Sequence, residues 1–524
     1  MLEDRRTVWI VVAVSFLLFL IGNLPWQLDD YDQAKQAFTS FQMIKEGRWF
    51  YQQTPHEHVA TKPPLVGWVS AGLFGLTRSW ELSWRLPSLL AAVALAVLLS
   101  RAASSAYGPI AGLIAVGAFG LNLLSPRLAT LVRTDMPLAL IIFFIGVLIW
   151  KKIREGTEWR PRDQIYVFAL LTIAMLIKGP IVYAFLIPGI VLNVVAVALW
   201  ATRSPRTARR LQNAWPGWWP WVASLAVFLL WVTGGMLFQP GFFHEVVMRE
   251  FVGRFGETIH RPQPLYFYLP HVLHKFAPWS VLIIGIALVD LHSRKWRLRS
   301  VIRDMSPDTF WLLCWSVGGL ILMSLIPSKR VDRIFPIIPP LCLLLAAQIA
   351  KRNACSHGSA SRFSTSVDSS LTGHPPSEGS GEGGSPVATE SPTRIYRSAA
   401  AALVVSILFT GGYTISKVIS GYRNHRDALA LFGKKVRHEA ETHRWRYEVV
   451  SARDEGLLLY LQRTHFIEPD HAVAEWNGGN LDALVASKEK ASNLIPQLTG
   501  AALSQLKSNK IKKEQGTSYV LITR

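Results

Sequence analysis

Three aspartates open the stretch Asp29-Asp30-Tyr31-Asp32-Gln33-Ala34-Lys35, and behind them Ala34, Ala37, Phe38, Phe41 and Ile44 recur at three- and four-residue spacing as far as Gly47. The periodicity predicts a helix lying in a membrane interface, with Asp32 in its first turn and Trp49, Phe50 and Tyr51 as an aromatic anchor. One carboxylate suffices to cap a helix N-terminus. Three leave a carboxylate over for general-base work, which requires direct contact with the proton to be removed. Further along stand Thr61-Lys62-Pro63-Pro64, where the prolines hold the lysine extended before a helix start, Arg133-Thr134-Asp135, and Lys178-Gly179-Pro180. A longer segment carries Arg249, Glu250, Arg254, His260, Arg261, Tyr266 and Tyr268, and Ser328-Lys329-Arg330-Val331-Asp332-Arg333 puts three cations and one acid together. Each lysine alone reads as a snorkelling side chain and each aspartate as a structural ion-pair partner, with Arg133 the nearest cation to Asp135. Together they supply what a phosphate-bearing substrate and a proton transfer require.

The elements that must position these residues are apolar. Of 524 residues, half are hydrophobic and only 17% are charged, which excludes a purely soluble enzyme and a largely disordered chain. Apolar runs fall at about 8–24, 86–100, 109–124, 137–150, 165–177, 181–200, 217–237, 269–290, 309–326, 334–350 and 398–416, predicting a mainly α polytopic membrane protein with about eleven transmembrane helices. Lys and Arg total 55 against 35 Asp and Glu. The surplus concentrates in the connections around 151–162, 203–210, 294–303 and 351–352, so the positive-inside rule puts these and the N-terminus in the cytoplasm. That accounts for much of the net charge of +20 without nucleic acid. The aspartates, Lys62, Lys178 and the 238–270 and 327–333 segments then share the extracytoplasmic side. Three cysteines, two of them in apolar runs, suggest neither a disulfide framework nor a zinc cluster. Residues 1–350 read as the multi-spanning core, 351–396 as a Ser/Gly/Pro-rich disordered cytoplasmic linker, 397–418 as the last span and 419–524 as a small extracytoplasmic α/β domain. Strands are expected there at Tyr447–Ser451, Ala483–Ala486 and Tyr519–Ile522, with a helix over Asp427–Glu441.

The apolar runs carry almost no charge in their centres, whereas ion-coupled transporters keep ionisable groups near the bilayer midplane. The pattern favours chemistry at the membrane surface on a lipid-tailed substrate. The ordered set Asp32-Gln-Ala…Met43…Gly47-x-Trp49, Lys62-Pro-Pro, Arg85-Leu-Pro, Arg133-Thr-Asp135, Lys178-Gly, Arg254-Phe255…His260-x-Pro-x-Pro-x-Tyr266-x-Tyr268, Pro278-Trp-Ser280 and Ser328-Lys-Arg…Asp332-Arg…Pro336 resembles the polyprenyl-phosphate-sugar glycosyltransferases, which include protein O-mannosyltransferases and aminoarabinose transferases. The resemblance implies a membrane-embedded glycosyltransferase type C core in the cytoplasmic (inner) membrane. It also implies a polyprenyl monophosphate sugar donor and a lipid, glycan or protein hydroxyl acceptor. Its catalytic carboxylate falls on Asp32, with Asp29 as competitor and Asp135 as second catalytic carboxylate. Lys62, Arg254, Lys329 and Arg330 would hold the donor phosphate, and Lys178, Glu250, His260, Tyr266 and Tyr268 are further candidates. Gln33 and Ile334 depart from residues frequent in the group, Glu and Tyr. A divalent ion between Asp32 and Asp135 is left open, and His56-x-His58 is equally well a solvated loop. A lipid-linked sugar flippase or a non-catalytic envelope assembly protein are the rival readings.

Overall fold

The computed structural model describes residues 5–28, 31–56, 58–200, 210–254, 262–303, 305–352, 392–452, 454–508 and 518–524. Between Arg5 and Arg352 the described residues include the helices α1 (Arg5–Ile21), α2 (Tyr31–Glu46), α3 (Leu65–Thr77), α4 (Trp80–Tyr107), α5 (Pro109–Gly120), α6 (Ser125–Ala129), α7 (Asp135–Glu155), α8 (Pro161–Lys178), α9 (Ile181–Trp200), α10 (Trp219–Phe238), α11 (Tyr268–Lys275), α12 (Trp279–Ser293), α13 (Leu298–Arg303), α14 (Pro307–Leu325) and α15 (Val331–Arg352). A π-helix, Phe243–Phe251, stands between α10 and α11. Among the described residues six helices are long and apolar enough to cross a membrane: α4, α7, α10, α14, α15 and the Arg397–Arg423 portion of α16 (Pro392–Arg423). The pair α11 and α12, with the preceding turn from Leu265, bends by 105° and counts as a seventh if it is one broken span.

Eleven spans were expected, and three of the helices that fall outside the six found do so for physical reasons. Runs at 8–24 and 109–124 form helices of 17 and 12 residues, short of the roughly 20 that a straight crossing needs. Helix α8 carries Arg162, Asp163 and Lys178 within its 18 residues. Helix α3, which was not among the eleven expected runs, is apolar but runs beside α2. It begins after Lys62-Pro-Pro, and at its far end Phe74 stacks on Trp80, which packs edge-on against Phe41 of α2.

The helical core is one continuous apolar cluster joining α1, α4, α5, α7–α9, α14, α15 and α16. Gly146 and Gly189 let Trp315 of α14 approach its neighbours; a Cβ at Gly146 would lie 2.0 Å from the indole.

Beyond α16 the chain forms α17 (Ala428–His443), β1 (Tyr447–Val449), α18 (Gly456–Leu461), α19 (Pro469–Asn477), β2 (Ala483–Ser487), α20 (Lys488–Leu494), β3 (Ala502–Lys507) and β4 (Tyr519–Thr523). The sheet order is β1-β2-β4-β3, parallel between the first two and antiparallel elsewhere. The expected helix and three expected strands are present. The fourth strand, β3, was missed because its residues alternate between half-buried and exposed, with no apolar run to mark them. The expected linker, 351–396, has residues 353–391 outside the described set, and its flanks are helical.

This domain packs on the first-loop helix. Phe38 and Phe41 of α2 share a buried cluster with Phe432, Val436, Leu458, Val485 and Leu521. The Tyr460 hydroxyl accepts the Leu28 N–H at 2.8 Å, the Gln27 side-chain oxygen accepts the Leu429 N–H at 2.9 Å, and Lys434 lies 3.3 Å from Glu81.

Candidate active site

Helix α2 forms where the 3–4 residue spacing predicted it, and it ends at Gly47 with φ +71°. Its inward face buries Ala34, Ala37, Phe38 and Phe41. That face fixes the helix axially and leaves Asp32, in the first turn, at the edge of the helical core. The Asp32 carboxylate accepts a hydrogen bond from the Arg330 guanidinium and lies 3.5 Å from the Arg133 guanidinium. Burial pushes its pKa up, but Lys62, Arg330 and Arg133 outweigh burial and hold it down at about 2.

Arg133, 6% exposed, also donates to Asp332 at 2.8 Å, and the second Asp332 oxygen lies 3.5 Å from Arg127. Asp32, Arg133, Asp332 and Arg127 thus form an alternating row of charges. This corrects the expected pairing of Arg133 with Asp135. The two are neighbours in sequence, but Asp135 starts α7 and turns toward Lys178, the last residue of α8, whose ammonium is 2.5 Å from its carboxylate.

Lys62 feels both the Asp32 and the Asp135 carboxylates. Burial pulls its pKa down to about 8, against the attraction of Asp32 and Asp135, and the cations Lys178 and Lys35 add to the depression. The loop before it is tied on both sides. Thr54 N–H donates to the His58 carbonyl at 2.6 Å and Ala60 N–H to the Gln52 carbonyl at 2.8 Å. On the other side Glu245 accepts the Val59 N–H at 2.9 Å, and Glu250 accepts the Thr61 hydroxyl at 3.2 Å.

Lys62, Lys178, Glu250 and Arg333 line a cavity of about 410 Å³ whose remaining walls are mostly apolar, including Ile181, Ala184 and Ile187 of α9 and Leu322, Met323 and Ile326 at the end of α14. A cationic head joined to an apolar channel fits an amphiphile with an anionic group. A second cavity, about 560 Å³, lies on the α1 and α16 side and is lined by Gln33, Arg85, Arg127, Lys275, Lys417 and Arg426 among others. The two cavities share no lining residue.

The other expected residues divide. Tyr268 is fully buried, and its hydroxyl accepts the Arg330 N–H at 3.3 Å, so it supports a residue that touches Asp32. Lys329 is 6% exposed and donates to the Gln263 carbonyl at 2.9 Å, away from the cavity lining. Tyr266 is 69% exposed and lines neither cavity. Arg254 ends the turn Val252–Arg254, and its side chain, like Asp29 and His260, lies outside the described residues. Gln33 is buried and accepts the Val132 N–H at 3.2 Å. Asp332 and Arg333 were visible as charges but not as site members, because nothing in a single loop sequence says which of four adjacent charges turns inward.

The arrangement does not fit a divalent ion between Asp32 and Asp135. Each carboxylate is already held by cationic side chains, and among the described residues no three His, Cys, Asp or Glu side chains converge. His56 stacks on Phe466, and His58 lies 3.2 Å from Glu245.

Residues 61–234 match the family model of dolichyl-phosphate-mannose-protein mannosyltransferases. The chain is 26% identical over 358 residues to the undecaprenyl phosphate-α-4-amino-4-deoxy-L-arabinose arabinosyl transferase 1 of Sodalis glossinidius, covering 64% of this chain and 57% of the relative. It is 23% identical over 351 residues to the corresponding transferase of Photorhabdus laumondii, with the same coverage. The alignment thus spans a little over half the length of these relatives. The crystal structure of ArnT from Cupriavidus metallidurans bound to undecaprenyl phosphate superposes with a TM-score of 0.65 at 16% identity, covering 98% of this chain and 97% of that one. Its apo form gives 0.63. Over residues 61–234 and in these relatives the chain is similar in sequence to the protein mannosyltransferases and aminoarabinose transferases, and over nearly its whole length it shares the fold of ArnT.

Proposed function

We propose that the chain is an integral-membrane glycosyltransferase that moves a sugar from a polyprenyl monophosphate donor to a hydroxyl of an envelope lipid, glycan or protein. The observation that carries this reading is the juxtaposition of the Asp32 carboxylate with Lys62 at the cationic head of an apolar-walled cavity. The apolar walls take the prenyl tail. Lys62, Lys178 and Arg333 meet the phosphate, with Arg330 drawn from Asp32 as the donor enters. The relatives' names favour an undecaprenyl carrier.

The step is a single displacement. The acceptor oxygen bonds to the anomeric carbon as the bond from that carbon to the phosphate oxygen breaks. The hydroxyl proton passes to Asp32, and the leaving phosphate is neutralised as its charge develops. Attack opposite the phosphate inverts the anomeric centre. A carboxylate held at about 2 is a poor proton acceptor near neutral pH. Donor phosphate competing for Arg330 removes one of the cations responsible, so the base becomes competent when the substrate is present. Arg133 stays, because Asp332 holds it from the other side. Asp135 and Lys178 form the rigid rear wall. The second cavity, beginning at Gln33 next to Asp32, offers the acceptor an approach separate from the donor's.

In this reading the N-terminus and the linker 351–396 are cytoplasmic, the helices α1, α5, α8 and α9 complete an eleven-span core, and the site faces the periplasm or exterior of the inner membrane. The contact of residues 428–523 with α2 supports one common outer face for the C-terminal domain and the first loop.

The test is transfer from a synthetic polyprenyl-phosphate sugar by purified Asp32→Asn. A loss of about 10²-fold or more with donor binding retained is expected. Unchanged transfer would remove Asp32 as the base. Transport of donor without transfer by the wild-type protein would favour a flippase.

A further inference from the structure

Two glutamates on the π-helix, Glu245 and Glu250, both reach the strand of chain that ends in Lys62. Five positions apart on an α-helix they would stand about 140° apart and could not address one loop. The i→i+5 hydrogen bonding of a π-helix brings such a pair close to one face. Both are partly buried on that face, while Phe243, His244, Met248 and Arg249 are exposed. The helix start is fixed by Phe242, which is 1% exposed and packs edge-on against Tyr51 and Trp231. Gly235 permits that packing, since a Cβ there would lie 2.4 Å from the Phe242 ring.

Glu245 grips the loop through the Val59 N–H and has its other oxygen 3.2 Å from His58 Nδ1; Glu250 grips it through the Thr61 hydroxyl. The next residue is Lys62, followed by two prolines that allow little freedom.

We propose that Glu245 and Glu250 are positioning residues: from one face of the π-helix they hold the 58–61 loop at two points and so set the Lys62 ammonium opposite Asp32. The inference rests on the reading of Lys62 as a cation of the donor site. Glu250 also lines the donor cavity, but a carboxylate there repels a phosphate, and its bond to Thr61 turns it toward the loop.

The test reads the position of Lys62 without any donor. In the purified full chain, the pH midpoint for acylation of Lys62 is followed by mass spectrometry in wild type, Glu245→Gln, Glu250→Gln and Thr61→Val, with thermal unfolding of each. Wild type is expected near 8. Each variant is expected to shift upward by about one pH unit or more as the lysine leaves its buried place, while Thr61→Ser keeps the wild-type value. Loss of a neighbouring negative charge alone would move the midpoint downward, so the sign separates positioning from electrostatics. An unchanged midpoint in all three, or a shift in Glu250→Gln with none in Thr61→Val, overturns the inference. A separate transfer assay reports on the glycosyltransferase reading, so failure of one is not mistaken for failure of the other.

Discussion

Donor affinity should fall as pH rises through 8. Without donor, burial leaves Lys62 with a pKa of about 8 rather than the ordinary 10.5. A sugar phosphodiester carries one negative charge throughout the alkaline range. Placed against Lys62, it favours the ammonium and returns the pKa toward its ordinary value. Binding therefore takes up a proton wherever the free protein has lost one. The sign follows: affinity is full below 8, declines above it, and levels off near 10.5, where the lysine of the complex also titrates. Between pH 7 and 9.5 the expected weakening is about 30-fold, from the ratio of the two titration curves. The assay is equilibrium binding of a polyprenyl-phosphate sugar to protein in detergent or nanodiscs at intervals of half a pH unit. Lys62→Arg supplies the control, because a guanidinium keeps its charge across this range; its affinity should be lower at pH 7 but flat to 9.5. A flat wild-type profile, or a slope that survives in Lys62→Arg, would refute the assignment of Lys62 to the phosphate.

Asp332→Asn removes the carboxylate shared by Arg133 and Arg127; Arg133 then bears more strongly on Asp32, and kcat should drop while the donor KM stays near wild type. Asp135→Asn takes the carboxylate at 2.5 Å away from the buried Lys178 ammonium and should cost about 3–5 kcal/mol, read as an earlier thermal transition that Asp135→Asn/Lys178→Met largely restores. Glu455, 4% exposed, is pushed up to about 7 by burial against the pull of Lys35 and His58. Stability tied to it is complete below about 4.5 and is lost as pH rises through 7, on the order of 3 kcal/mol. Glu455→Gln should flatten that part of the pH–stability curve.

The parts legible in the sequence were those written as periodicity or as local chemistry. Ala34, Ala37, Phe38 and Phe41 announced α2, and three of four C-terminal strands stood out as short apolar runs. Lys62 and Asp135 were legible because a charge beside a helix end in an apolar protein needs a reason. Partnerships were not legible. Arg133 sits two residues from Asp135 yet bonds to Asp332, about two hundred positions away, because helix direction and not adjacency decides where a guanidinium goes. The span count was legible only in part: the apolar runs behind α1 and α5 stand out in the sequence, but not that their helices stop at 17 and 12 residues. The π-helix left no sequence mark, since its extra residue per turn only becomes visible when Glu245 and Glu250 both find the same loop.

The docking of the C-terminal domain has a consequence for how substrates can enter. Helix α2 is held between the helical core and the sheet, by Phe38 and Phe41 inside and by Tyr460 and Gln27 at its approach. Asp32 thus belongs to the stiff half of the site, an anvil that does not shift when lipid arrives. Lys62, on the opposite side, hangs from a loop joined to a π-helix by three hydrogen bonds. In the proposed reaction, the part that yields to admit a prenyl chain would be that second half, and the acceptor would meet a base whose place was settled when the domain folded down.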